Sequence, residues 1–431
     1  MKPAMRIRST LMGVLASPGF VRFRRRRARL RRRLRGERPA VHYFHQVDDP
    51  YSHLVVQKLE TLRSRYPIPF DVHLVGSPGP AYQGDASRYT AWARRDAGSI
   101  AEFYDVHMPA GPVSPDPAEV HRANNLLAEK LADAGFASLA CDIGEKLWSG
   151  QTLPVEGSTG ISLAALETGN RLRQMLGHYY GGMFYYDGEW YWGLDRVHLL
   201  EARLQTEGYG VAGDFCVPPP QAKPISGLNA GHVTLEYFPS LRSPYTAIGH
   251  QRVVDMVART GVNLVLKPVI PMMMRGIPAP REKRLYIITD AAREARYYGV
   301  PFGRFADPIG EPVLRAFAHY PAAAAAGRGM DFVGAYLSAA FAKGIDISTP
   351  AGLARILASS GVAAETDSGD WRGILDENLQ AMNDAGLWGV PSFRISDDSA
   401  APPFSCWGQD RIWRLEIEIQ RRVRQEASDA G

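Results

Sequence analysis

Residues Leu235–Thr246 read LEYFPSLRSPYT, and residues Val41–Ser52 read VHYFHQVDDPYS. Tyr237, Phe238, Pro244 and Tyr245 stand at a constant offset from Tyr43, Phe44, Pro50 and Tyr51. In both stretches a short strand of β-branched and aromatic residues runs into a turn whose proline suits the first position of a helix. Two further echoes follow in the same order. GHYYGGMF at Gly177–Phe184 aligns with GLWGVPSF at Gly386–Phe393, and WGLDRVHLLE at Trp192–Glu201 aligns with WGQDRIWRLE at Trp407–Glu416. Three ordered matches read as a duplication of the chain.

The boundary between the copies falls in the stiff segment VPPPQAKP, residues 217–224. This gives a first domain over 39–216 and a second over 225–431. In the second, the pattern predicts a helix from Pro244 to about Arg259, closed by Gly261, and then a strand at Asn263–Lys267. A helical stretch over about 282–386 follows, then a strand at Ser392–Ile395, its hairpin partner near Phe404–Trp407, and a tail helix. That last helix carries Ile412, Leu415, Ile419 and Val423 on one stripe. The order βαβ, helical insert, ββα is that of a thioredoxin fold interrupted by a helical domain. The fold class expected for the whole chain is α/β, with two such domains in tandem.

Composition is that of a soluble protein with real cores: 431 residues, 45% hydrophobic and 22% charged. The net charge of +5 is unevenly placed. Residues 1–38 hold fourteen basic residues against the single acid Glu37, a net +13 that leaves −8 on the rest. This segment is expected to be a basic, disordered arm, solvated or resting through residues 22–38 on anionic membrane or nucleic acid. The apolar run Leu11–Phe20 is too short to span a bilayer, and an arginine block after it opposes export. A cytoplasmic location is therefore expected. Cys141, Cys216 and Cys406 form no CxxC and no metal-ligand spacing, so neither a metal site nor dithiol chemistry is expected.

Residues 233–425 resemble the DsbA-like superfamily, and within it 2-hydroxychromene-2-carboxylate isomerases and kappa-class glutathione transferases. The features that carry the resemblance are Ser243-Pro244-Tyr245, Lys267-Pro268, Arg293 and Tyr298-Gly299-Val300-Pro301-Phe302. Gly389-Val390-Pro391-Ser392-Phe393 and Gly408-Gln409-Asp410-Arg411 complete the set. The resemblance implies glutathione as cofactor and an aromatic or conjugated small molecule as substrate, in an isomerase or transferase reaction. It also implies a cis peptide at Val390-Pro391 that presents the Val390 backbone to the cysteinyl part of glutathione. Gln409 and Asp410 would bind the γ-glutamyl end, and Arg275 would bind the glycyl carboxylate or an acidic substrate. Ser243 would steady the glutathione thiolate.

Each of these residues also has an ordinary structural reading. Ser243 and Asp410 suit helix N-caps, Pro391 suits a strand edge, and Arg275 suits a solvated loop. In the first domain Asp49, Gly182 and Leu194 replace Ser243, Pro391 and Gln409. That copy reads as non-catalytic and is expected to pack on the second as an intrachain pseudo-dimer. A carboxylate site at Asp49, with His45 and His53 nearby, is a further reading of it. The alternative for the whole chain is a non-enzymatic thioredoxin-like scaffold that uses the basic arm to hold a membrane or nucleic acid.

Overall fold

The computed structural model describes residues 3–155, 157–225, 227–307, 309–363, 369–399 and 401–429. The chain divides into two compact units. One joins the residues up to Phe20 to Gln221–Ala279 and everything from Arg284 onward; the other comprises Val21–Pro220 with Pro280–Lys283.

Of the segment 1–38, expected to lack structure, the described residues 3–38 are largely helical. Helix α1 covers Pro3–Ala16 and helix α2 covers Pro18–Leu34. Its partners explain the difference. Met12, Leu15 and Ala16 pack into an apolar cluster with Phe305, Phe341 and Val313 of the second half. Arg8 reaches Asp307 at 2.9 Å, and Arg296 donates to the carbonyl of Ala16 at 3.1 Å. None of these partners is near in sequence, so a local reading of charge density could not find them.

In the unit that begins at Val21, β1 (Val41–His45) leads into α3 (Pro50–Val56) and then β2 (Phe70–Leu74). After several helices come β3 (Met183–Tyr186) and β4 (Glu189–Trp192). The sheet order is β2-β1-β3-β4, with β1 and β2 parallel and the other pairs antiparallel. Asp187 and Gly188 make the two-residue turn between β3 and β4, both at positive φ, as such a hairpin requires.

The other unit repeats this order. β5 (Thr234–Phe238) precedes α4 (Pro244–Thr260) and β6 (Asn263–Leu266). A helical insert opens with α5 (Arg281–Tyr297) and closes with the helix Trp371–Asp384. β7 (Ser392–Ser396), β8 (Phe404–Trp407) and α6 (Ile412–Asp429) follow. Strands run β6-β5-β7-β8, with β5 and β6 parallel and the other pairs antiparallel.

Strand periodicity sorts the faces of this sheet. Leu235, Tyr237, Phe393 and Ile395 pack with Val253 and Met256 of α4 and with Ile412, Leu415 and Ile419 of α6. The alternate residue Glu236 is buried but paired on both sides, with Lys267 at 2.5 Å and Arg394 at 3.2 Å. A lone carboxylate there would carry a large desolvation cost; two cations across the strands offset it.

Candidate active site

The end of β5 and the start of α4 place Ser243 at a helix N-terminus. It has extended backbone angles, and its hydroxyl oxygen accepts a hydrogen bond from the Thr246 N–H at 3.1 Å. The same hydroxyl donates to the carbonyl of Val390 at 3.3 Å. The Val390–Pro391 peptide is cis. Residues 147 apart in sequence thus meet at one point, Ser243 being 7% exposed and Val390 8% exposed. A bond of 3.3 Å is at the long end for a hydroxyl donor, so an anion arriving at the helix end competes well for that proton. The N-terminus of this seventeen-residue helix adds a partial positive charge.

The strand that follows the cis bond is anchored below it. Gly408 N–H donates to the carbonyl of Pro391 at 2.8 Å, and the Ser392 hydroxyl donates to the carbonyl of Gly389 at 2.8 Å. Gly389 lies flat on the indole of Trp407, which a Cβ would meet at 2.0 Å, so the loop reaches this course only with glycine. The N–H of Val390 makes no hydrogen bond among the described residues. It is a main-chain donor at the cis bond of the kind an added extended peptide uses.

Arg275 stands in the short helical turn Met272–Arg275 after β6. Its Nε donates to the carbonyl of Ile270 at 3.1 Å, and its Nη2 donates to the carbonyl of Trp388 at 2.8 Å, two residues before Val390. Burial lowers its pKa to about 10, which leaves it charged at neutral pH. No carboxylate among the described residues pairs with it. A half-buried guanidinium held by two carbonyls retains its affinity for an anion.

Ser243, Val390, Pro391 and Arg275 are therefore brought together. The side chain of Gln409, by contrast, is enclosed by the protein. The residue is fully buried, with its amide donating to Glu294 of α5 at 3.0 Å and to Asp410, while its oxygen accepts from Arg252 of α4. Both amide hydrogens are engaged inside the protein. Gly249 of α4 explains the burial: a Cβ there would stand 2.9 Å from Cβ of Gln409, so the turn beds into the helix. Asp410 is partly exposed and takes part in the same network.

Sequence reading missed the group behind this turn. Tyr245, next after Pro244, donates to Asp290 of α5 at 2.9 Å, and Asp290 also accepts from Arg293. Arg242, just before Ser243, holds Asp307 at 2.8 and 3.3 Å. The acids lie in the helical insert with no local motif, and only the Arg293 partner carried a signal.

At the matching point of the first sheet, Asp49 caps α3. Its carboxylate accepts from the N–H of Ser52 at 2.9 Å and from the Ser52 hydroxyl at 2.8 Å. Burial raises its pKa to about 6. Gly182 replaces the proline at φ +59°, and a Cβ there would lie 3.0 Å from the Asp49 carboxylate. His45 accepts from or donates to the Tyr43 hydroxyl at 2.9 Å, whereas neither ring nitrogen of His53 has a hydrogen-bond partner among the described residues. Burial holds these imidazoles at about 3 and about 4, so both are neutral. Asp49 is bonded to Ser52 and to neither histidine, which leaves the three without the contacts of a shared acid–base site.

Comparison with known proteins finds similarity in part of the chain. Residues 234–420 match the family of DSBA-like thioredoxin domains. Among solved structures, a 2-hydroxychromene-2-carboxylate isomerase is 22% identical, covering 45% of this chain and 98% of its own, with a TM-score of 0.36. The cytosolic disulfide reductase DsbM from Pseudomonas aeruginosa is also 22% identical, over 44% of this chain and 99% of its own, with a TM-score of 0.35. DsbM has further been solved with GSH, matching at 22% identity and a TM-score of 0.34 over 44% of this chain and 99% of that one. No curated protein matches the chain.

Proposed function

We propose that the DSBA-like domain binds glutathione at the Ser243 turn and uses it in a glutathione-dependent isomerisation or transfer on a conjugated or aromatic substrate. One observation carries this reading: the Ser243 hydroxyl lies at a helix N-terminus against the cis Val390–Pro391 bond, where a thiolate brought by a ligand would gain a donor. A charge-assisted hydrogen bond of this kind is worth about 1.5–3 kcal/mol, roughly one to two pKa units on the thiol. Val390 N–H and its carbonyl would pair with the cysteinyl unit as an added strand, and Arg275 would meet the glycyl carboxylate. Asp410 would meet the ammonium of the γ-glutamyl end, with Gln409 holding it in place from behind. In the isomerase form, bound glutathione would supply a thiol nucleophile for reversible addition to a conjugated double bond, with Ser243 steadying its thiolate. The duplication read from the sequence belongs to this proposal too, since both sheets share one strand order.

Calorimetric titration with glutathione tests it. Wild type is expected to bind, with Ser243→Ala raising the thiol pKa of the bound ligand and Arg275→Gln weakening affinity about tenfold or more. Absence of heat from the wild-type protein refutes the reading.

A further inference from the structure

Eight of the nine arginines of α2 fall into two sets. Arg25 holds Glu189 at 2.6 Å, and Arg32 meets both oxygens of Asp187 at 3.1 Å. Arg29 pairs with Glu207 and stands 3.5 Å from Asp187. All three acceptors belong to the β3–β4 hairpin or the end of the helix that follows it. Arg203, buried beneath, ties Glu189 to Glu207. One face of the helix is thereby pinned to its unit.

The other face is different in kind. Arg22, Arg26, Arg27, Arg31 and Arg33 are exposed and make no ion pair among the described residues. Between them lie Phe23, Leu30 and Leu34, which are 56%, 58% and 78% exposed. At about 100° per residue, these three apolar side chains fall within about 40° of one another, flanked on both sides by the five arginines.

We infer that this outer face of α2 is a docking surface for an anionic lipid bilayer, on which the helix lies in the plane of the headgroups. Unpaired guanidinium groups give a local attraction for phosphate that the inner, neutralised set cannot, on a chain whose residues 39–431 carry a net −8. The apolar stripe at the centre of the charged face selects a bilayer over a nucleic acid: Phe23, Leu30 and Leu34 can enter the acyl boundary, while a phosphodiester backbone offers them nothing. The contact is peripheral, since no helix among the described residues is long and apolar enough to cross a membrane.

Co-sedimentation of the full chain with vesicles tests the assignment. Binding is expected to phosphatidylcholine vesicles that carry about 30% phosphatidylglycerol and not to phosphatidylcholine alone, weakening as salt rises. Phe23→Ser with Leu30→Ser and Leu34→Ser should lower binding about tenfold or more at unchanged charge. A second variant, Arg22→Gln with Arg26→Gln and Arg27→Gln, should lower it as well, with circular dichroism showing both variants folded. Failure of wild type to bind the anionic vesicles overturns the inference. So does tight binding to a short DNA duplex that the triple serine variant leaves unchanged.

Discussion

Asp49 and Ser243 occupy the same place in two sheets of the same order, and each caps the helix that follows. The difference lies in what a buried side chain must do with its charge. Asp49 is a carboxyl raised from 3.8 to about 6, so its ionisation opposes folding as pH rises through that window. Asp49→Asn keeps an acceptor for Ser52 and removes the charge. It is expected to stabilise the protein at pH 8 by up to about 3 kcal/mol, with the gain fading below pH 4, as urea denaturation at both pH values would show. Gln409 makes the converse case. Gln409→Glu would place a carboxylate beside Glu294 and Asp410 and remove two donors. A loss of about 3 kcal/mol or more in the same measurement is expected. Ser243 and Pro391 could be read in the sequence because turn and cap chemistry is local. The burial of Gln409 could not, because it depends on Gly249 and Glu294, which reach it only after the insert has folded.

Elements show the same division between near and far. The strand at Phe404–Trp407 and the helix closed by Gly261 stand where periodicity and cap residues put them. Helix α2 does not follow from local pattern at all, since the carboxylates that seat it lie 155–178 residues away along the chain. Gly188 is the fitting point: at φ +93° it lets the α2 backbone pass, and a Cβ would stand 2.9 Å from the carbonyl oxygen of Arg24. Gly188→Ala is therefore expected to cost about 2 kcal/mol and to loosen α2 while β1 and β2 keep their protection. Amide hydrogen exchange would register the change, and equal protection of α2 in both proteins would contradict it.

Across the whole molecule the buried imidazoles act in one direction. Burial lowers His53, His73 and His250 to about 4 and His45 to about 3, against 6.5 when exposed. Between about pH 4 and pH 6.5 the unfolded chain thus binds more protons than the native one, and stability falls as the solution is acidified through that range. Asp49 pulls the other way between 3.8 and 6, but four groups outweigh one. Urea midpoints should drop from pH 7 to pH 5, by at least about 2 kcal/mol once converted. His250→Gln, whose amide can replace the bond to the Met330 carbonyl, should flatten part of that slope.

Helix α1 has a consequence for how the protein is made. Arg8 and its partner Asp307 are 299 positions apart. At the usual 5–20 residues per second, a ribosome needs roughly 15–60 s to reach the second after releasing the first. Val21–Pro220 is completed within that interval, while the apolar side of α1 has no place to settle. The nascent chain carries its first helix as an unhoused hydrophobic segment, and chaperone capture should be strongest at this end until the last third of the polypeptide emerges.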